Sequence, residues 1–303
     1  MKKFFYVIDR EILIKSITLT RDESLPEDGY SFFVTDEGDV IGKYCNERAK
    51  SYLEEEINKQ TSEGKIRKVF LKDYPCFPLR GAIEGFYGTP FTQKQRKDLF
   101  SYLRKIRMNA YIYAPKDDLY HRDRWREAYP AEDLSLLKDL KKEADKNYID
   151  FYFAISPGKD FCYADDNDYG ILLRKLSAVA ACGIDKFALL VDDIQPVLSK
   201  EEAAIYDSPA QAQATIANRL EEDLQKSAPL LFCPTDYMQN FDTPYREDLR
   251  KYLNRKTEVF WTGYNTVAEA ITEEDGKTVK TYGVGTWDYA LLMYANGGKG
   301  LVE

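Results

Sequence analysis

Two adjacent acids, Asp192 and Asp193, close the apolar run Phe187-Ala188-Leu189-Leu190-Val191. At the end of a buried strand they would emerge one after the other. Neighbouring carboxylates repel each other's charge, which helps keep one protonated, the condition for a general acid. The plainer reading is a helix N-cap with an acidic neighbour. Polar chemistry also gathers between Leu79 and Pro130. There, Glu84-Gly85-Phe86-Tyr87-Gly88 ends one apolar segment, with two glycines that leave the backbone open to close approach. Pro115-Lys116-Asp117-Asp118 ends the next.

Other chemistries find little support. His121 is the one histidine, so a Ser-His-Asp or Cys-His arrangement would have to use it. No His/Cys cluster has zinc spacing, and no metal or other cofactor is expected. Asp165-Asp166-Asn167-Asp168 lacks the glycine and terminal glutamate of a calcium loop and reads as a helix start. Asn296-Gly297-Gly298-Lys299-Gly300 lacks phosphate-loop spacing and reads as a turn.

The elements that must carry these residues alternate. Thr92 stands three residues before Gln95, a capping-box spacing. It opens a helix whose apolar face is expected at Leu99, Leu103 and Ile106. Asn109 to Ala114 reads as a second strand. Further helices are marked by Leu134, Leu137, Leu140 and Ala144, by Tyr169, Leu172 and Leu176, by Ile216 and Leu220, and by Tyr245 and Leu249. Strands are expected at Ile149 to Ile155, Asp185 to Val191, Leu230 to Cys233, Glu258 to Trp261 and around Lys280 to Trp287. Repeated βα units argue for a (β/α)8 TIM-type barrel over residues 76–303, with active residues at the strand C-termini. A doubly wound open sheet is the alternative. From Leu79 the chain is shorter than the ~250 residues of a typical barrel, and an eighth strand could begin only near Leu301. Either the last βα unit is reduced or supplied elsewhere, leaving the barrel incomplete at its C-terminus, or the sequence stops before it. Residues 1–75 read as a small α/β domain, with a hairpin turning at Asp36-Glu37-Gly38-Asp39, a helix from Glu47 and a strand at Ile66 to Lys72.

The balance of 43 basic and 51 acidic residues gives a net charge of −8 and no long basic run, which argues against a nucleic-acid partner. Five scattered cysteines with no CxxC pair suggest reduced thiols, hence a cytoplasmic setting. The N-terminal apolar run, Phe4 to Ile8, is too short for a signal peptide, and no stretch reaches the ~20 apolar residues of a membrane span. No membrane partner is expected.

Six stretches, in order, resemble the motifs of glycoside hydrolase family 84. They are Arg80 to Gly88 (RGAIEGFYG), Tyr113 to His121 (YAPKDDLYH), Ala154 to Gly158 (AISPG), Phe187 to Ile194 (FALLVDDI), Phe232 to Tyr237 (FCPTDY) and Phe260 to Gly263 (FWTG). That family comprises β-N-acetylglucosaminidases, O-GlcNAcases and hyaluronidase-like enzymes among them. The resemblance implies a retaining hydrolase of terminal β-linked GlcNAc, taken from a glycoside or glycoprotein. It also implies substrate assistance, in which the sugar's 2-acetamido oxygen attacks the anomeric carbon and no enzymic nucleophile is needed. Asp192 would then orient the acetamide N–H and Asp193 would be the general acid/base. Gly85 would present its backbone to the sugar, Tyr87 would line the cleft, and Lys116 would hydrogen-bond a ring hydroxyl. Tyr237 would steady the acetamide oxygen, Thr262 would wall the acetyl pocket, and Trp287 matches the Trp of a later substrate-binding motif.

The chain departs from the family pattern at Trp287-Asp288-Tyr289. Tyr289 stands where the family has Asn, and no Asn-Asp pair follows. The alternative implied is a catalytically weak or inactive GlcNAc-binding relative lacking the ligands of the sugar's far edge.

Overall fold

The computed structural model describes residues 2–75, 77–192, 194–238 and 243–262. The chain divides into two compact units, Met1–Pro78 and Leu79–Glu303.

The first unit is a sheet with one helix. Its elements are β1 (Lys2–Leu13), β2 (Ser16–Arg21), β3 (Tyr30–Val34), β4 (Asp39–Tyr44), α1 (Glu47–Gln60), β5 (Thr61–Ser62) and β6 (Lys65–Tyr74). The strands run in the order β1-β6-β3-β4-β2, with β5 paired to β6. Gly38, at φ 93°, makes the β3–β4 turn in the left-handed region that glycine tolerates. Asn46 caps α1 by accepting the Ala49 N–H at 2.8 Å. Phe32, Val34, Val40, Leu53, Ile57, Ile66 and Leu71 form the core of this unit.

The second unit is built of βα repeats. In order they are β7 (Gly81–Glu84), α2 (Gln93–Lys105), β8 (Ala110–Tyr113), α3 (Ala131–Lys146), β9 (Asp150–Ile155), α4 (Asp166–Ala180), β10 (Lys186–Leu190), α5 (Pro209–Asp223), β11 (Leu231–Cys233), α6 (Pro244–Tyr252) and β12 (Glu258–Val259). The six strands are parallel and stand in chain order from β7 to β12. A doubly wound sheet must reverse its order at a switch point; none occurs among the described strands.

The two faces of this sheet differ, as period-2 alternation requires. Tyr111, Phe151, Phe153, Phe187 and Phe232 point outward onto Phe100, Leu140, Leu172 and Leu220 of the helices. The other face carries Ala110, Ile112, Ala114, Ala154, Ala188, Leu190 and Cys233 together with the bulkier Tyr152, Leu231 and Phe260, also buried. A parallel sheet buried on both faces suits a curl into a half-barrel. Truncating one of the buried phenylalanines to Ala would cost about 3–5 kcal/mol. Gly81 is fixed by this packing, because a Cβ there would lie 2.0 Å from the Ala110 carbonyl oxygen. The strands expected around Lys280 to Trp287 and near Leu301 lie outside the described residues.

One expectation needs correction. The buried stripe of α2 is Arg96, Phe100 and Leu103, whereas Ile106 is the C-cap residue and 37% exposed. The capping box of Thr92 and Gln95 is present, and it sets the start of the helix. Arg96 takes the buried position because a buried carboxylate faces it from β7.

Candidate active site

That carboxylate is Glu84, at the C-terminal end of β7. Arg96 donates to both its oxygens at 2.8 Å, the Phe91 N–H donates at 2.9 Å, and the Tyr111 hydroxyl donates as well. Burial opposes the Arg96 charge, but the bonds to Glu84 outweigh it and hold its pKa above the ordinary value. With its acceptor sites taken, Glu84 is a brace between strand and helix. Gly85 follows, buried, and a Cβ on it would meet only the Ile83 side chain, at 3.4 Å. Packing does not itself demand glycine there.

The loop after β8 carries Lys116. Asp118 organises this loop, accepting from the Tyr113 and Tyr129 hydroxyls at 2.9 and 2.7 Å and from the Tyr120 N–H at 2.9 Å. His121 is wholly buried, with Nδ1 2.8 Å from the Ala154 carbonyl oxygen, so Nδ1 carries the proton. Burial lowers its pKa to about 4. It is therefore neutral at ordinary pH and anchors the loop to β9 from a fully buried position. Lys175 of α4 holds the same loop through the Tyr120 carbonyl at 2.5 Å, its ammonium 4.9 Å from the Tyr129 ring centroid. Burial draws the Lys175 pKa down to about 8.

Lys116 Nζ lies 3.4 Å from Oδ2 of Asp192 and 5.8 Å from the ring centroid of Tyr87. Tyr87 is 66% exposed, and its hydroxyl accepts from Arg122 Nη1 at 2.9 Å. Three of the expected residues, on the loops after β7, β8 and β10, therefore converge. The second oxygen of Asp192, Oδ1, is buried and makes no hydrogen bond among the described residues. Tyr237 and Thr262 meet through the backbone, the Thr262 N–H donating to the Tyr237 carbonyl at 3.0 Å. Tyr237 also packs against the inner face of the sheet. Asp193 and Trp287 lie outside the described residues.

Several contributors have no role assigned from the sequence, although Gly158 and Thr235 lie within two of its motifs. Gly158, after β9, faces Ile194, immediately beyond the acid pair; a Cβ on it would stand 2.6 Å from Ile194 Cγ2. Thr235 donates its hydroxyl to the Val191 carbonyl at 2.9 Å, tying the loop after β11 to the residue before Asp192. Gln213 of α5 supports Thr235 at 3.1 Å. Gln213 does leave a trace in the sequence, a polar residue on the apolar stripe of Ala210, Ala217 and Leu220.

Residues 80–296 match the family described as beta-N-acetylglucosaminidase. Protein O-GlcNAcases of Rattus norvegicus and Mus musculus are each 39% identical over 220 residues, covering 69% of this chain and 24% of their own length. The chain thus spans about a quarter of these relatives. Among solved structures, CpGH84B superposes with a TM-score of 0.80 at 28% identity, covering 92% of this chain and 59% of that one. A mutant of the Thermobaculum terrenum O-GlcNAc hydrolase gives 0.68 at 34% identity, covering 74% and 48%.

Proposed function

The chain belongs to the β-N-acetylglucosaminidases of glycoside hydrolase family 84, and from that membership we propose that it removes terminal β-linked GlcNAc from glycosides or glycoproteins by substrate-assisted retention. The observation that carries the proposal is Asp192. One of its oxygens faces Lys116, while the other is buried without a donor among the described residues. A buried acceptor left unpaired costs about 1–3 kcal/mol. An acetamide N–H would satisfy it, and the contact would strengthen as that N–H gains positive character during cyclisation.

In this reading the acetamide oxygen attacks the anomeric carbon as the glycosidic bond breaks, and Asp193 protonates the departing oxygen. Asp192 receives the N–H of the cyclised sugar, and the Tyr237 hydroxyl steadies the attacking oxygen. Water then opens the oxazoline at the anomeric carbon, giving its proton to the Asp193 carboxylate, and configuration is retained. Gly85 and Lys116 bind the ring, Tyr87 lines the cleft, and Thr262 and Trp287 complete the sugar pocket. A (β/α)8 barrel is part of the proposal. So is a reducing, cytoplasmic setting, supported by the free thiols of Cys45, Cys162, Cys182 and Cys233. Among the described residues no helix is long and apolar enough to cross a membrane.

Progressive fluorination of the N-acetyl group on an aryl β-GlcNAc substrate tests this directly. Turnover should fall steeply with each fluorine; a flat dependence would point to an enzymic nucleophile. Tyr289, standing where the family has Asn, favours a second reading, a GlcNAc-binding relative of low activity. Tight binding of a thiazoline mimic without turnover would select it.

A further inference from the structure

We infer that Thr235, held by Gln213 and Tyr245, is a positioning residue that fixes Asp192 and Tyr237 relative to one another, and so sets the geometry in which the acetamide cyclises. The inference rests on the roles proposed above for those two residues.

It begins with an irregularity in the β10–β11 ladder. The Val191 N–H donates to the Cys233 carbonyl at 2.9 Å, as a parallel ladder requires. The next bond of a regular ladder would run from the N–H of residue 235 to the Val191 carbonyl. Instead the Thr235 N–H turns to the phenol oxygen of Tyr245 at 3.2 Å, and the Thr235 hydroxyl takes the Val191 carbonyl at 2.9 Å. The side chain thus replaces the backbone bond. The chain can leave the sheet toward Tyr237 without freeing the strand end that bears Asp192.

Proton counting gives this network one direction. The single hydroxyl proton of Thr235 goes to Val191, so Gln213 must present its NH2 group to Oγ1, and Nε2 stands 3.1 Å away. The separation from Oγ1 to Gln213 Oε1 is longer, 3.4 Å. Oε1 is then left for the Tyr245 hydroxyl, which donates to it. Gln213 is 1% exposed, with fully buried alanines at 210, 214 and 217 of the same helix. Buried, paired amides of this kind are costly to disturb and hold one geometry. The network contains no group that titrates near neutrality, since burial pushes the Tyr245 phenol far above its ordinary value.

A misplacement of about 1 Å at reacting groups can cost on the order of 100-fold in rate. Thr235→Val keeps the shape and removes the hydroxyl. On an aryl β-GlcNAc substrate it should lower kcat by about 10–100-fold, with KM within about threefold and the shape of the pH profile unchanged. Thr235→Ser should restore kcat to within about threefold of wild type. If Thr235→Val does not fold, Tyr245→Phe, which removes the phenol bridging Thr235 and Gln213, should show the same split. A kcat equal to wild type, a loss confined to KM, or failure of Ser to rescue would overturn the inference. Absence of both turnover and thiazoline binding in the wild-type protein would instead end the reading on which it rests.

Discussion

The ammonium of Lys116, on the loop after β8, stands 3.4 Å from Oδ2 of Asp192, beyond the end of β10, with β9 between their strands. Both side chains are largely buried, so water screens their attraction little. Hydrogen bonds to charged groups contribute about 1.5–3 kcal/mol. Lys116→Met should therefore lower kcat/KM on an aryl β-GlcNAc substrate by about 10–100-fold, on the scale of 1.4 kcal/mol per tenfold. A value within about twofold of wild type would remove Lys116 from the site.

Gly158 and Ile194 give a second test, this one of packing. The 2.6 Å approach that a Cβ on Gly158 would make to Ile194 Cγ2 cannot be met without movement. Overpacking of this kind costs about 1–3 kcal/mol. Gly158→Ala should be destabilised by that amount in urea titrations and should lose activity, because Ile194 follows the acid pair directly. Ile194→Ala in the same chain should recover part of both losses. Simple additivity of the two substitutions would show that they do not share a contact.

His121 predicts a dependence on pH. Its unfolded form takes up a proton near 6.5, and burial delays this in the fold to about 4, with Asp118 pulling the value up and Lys116 and Arg122 pushing it down. Between those values the unfolded chain binds more protons. The stability that His121 contributes is therefore full above about pH 6.5 and drains as pH falls toward 4, by roughly 3 kcal/mol. Urea unfolding at neutral pH and at about pH 4.5 should show this loss. In His121→Asn the loss across the same interval should be smaller, even if that variant starts from lower stability. Equal losses would place the acid sensitivity elsewhere.

How far the sequence discloses these features depends on how local their causes are. The capping box of α2 and the strands β7 to β12 follow from short-range rules, and the structure has them where those rules place them. The buried face of α2 does not follow, because Arg96 is drawn inward by Glu84, twelve residues earlier and on another element. β2 escapes notice because almost all of it is exposed, so no alternation marks it. At the site, Asp192, Lys116 and Tyr87 are legible through motif resemblance. The role inferred for Thr235, which lies within the FCPTDY motif, and for Gln213 is not, since it depends on a side chain replacing one bond of a ladder, which only the folded chain defines.

The proposed division of labour between Asp192 and Asp193 makes the two positions separable by kinetics. A general acid matters in proportion to how badly the leaving oxygen needs a proton. Asp193→Asn should cost little with activated aryl leaving groups and on the order of 10²–10⁴-fold with poor ones. Asp192 acts on the nucleophile and not on the leaving group. Asp192→Asn should therefore slow all β-GlcNAc glycosides in the same series by a similar factor, provided bond cleavage limits turnover. The amide keeps the carboxylate's shape but loses the charge that Lys116 faces and that a cyclising N–H would seek. Measuring kcat/KM for both variants across aryl leaving groups of graded acidity decides the matter. A steep dependence for Asp193→Asn and a flat one for Asp192→Asn is the expected pattern. The reverse pattern would exchange their roles, and two flat lines would leave Asp193 without a part in proton transfer.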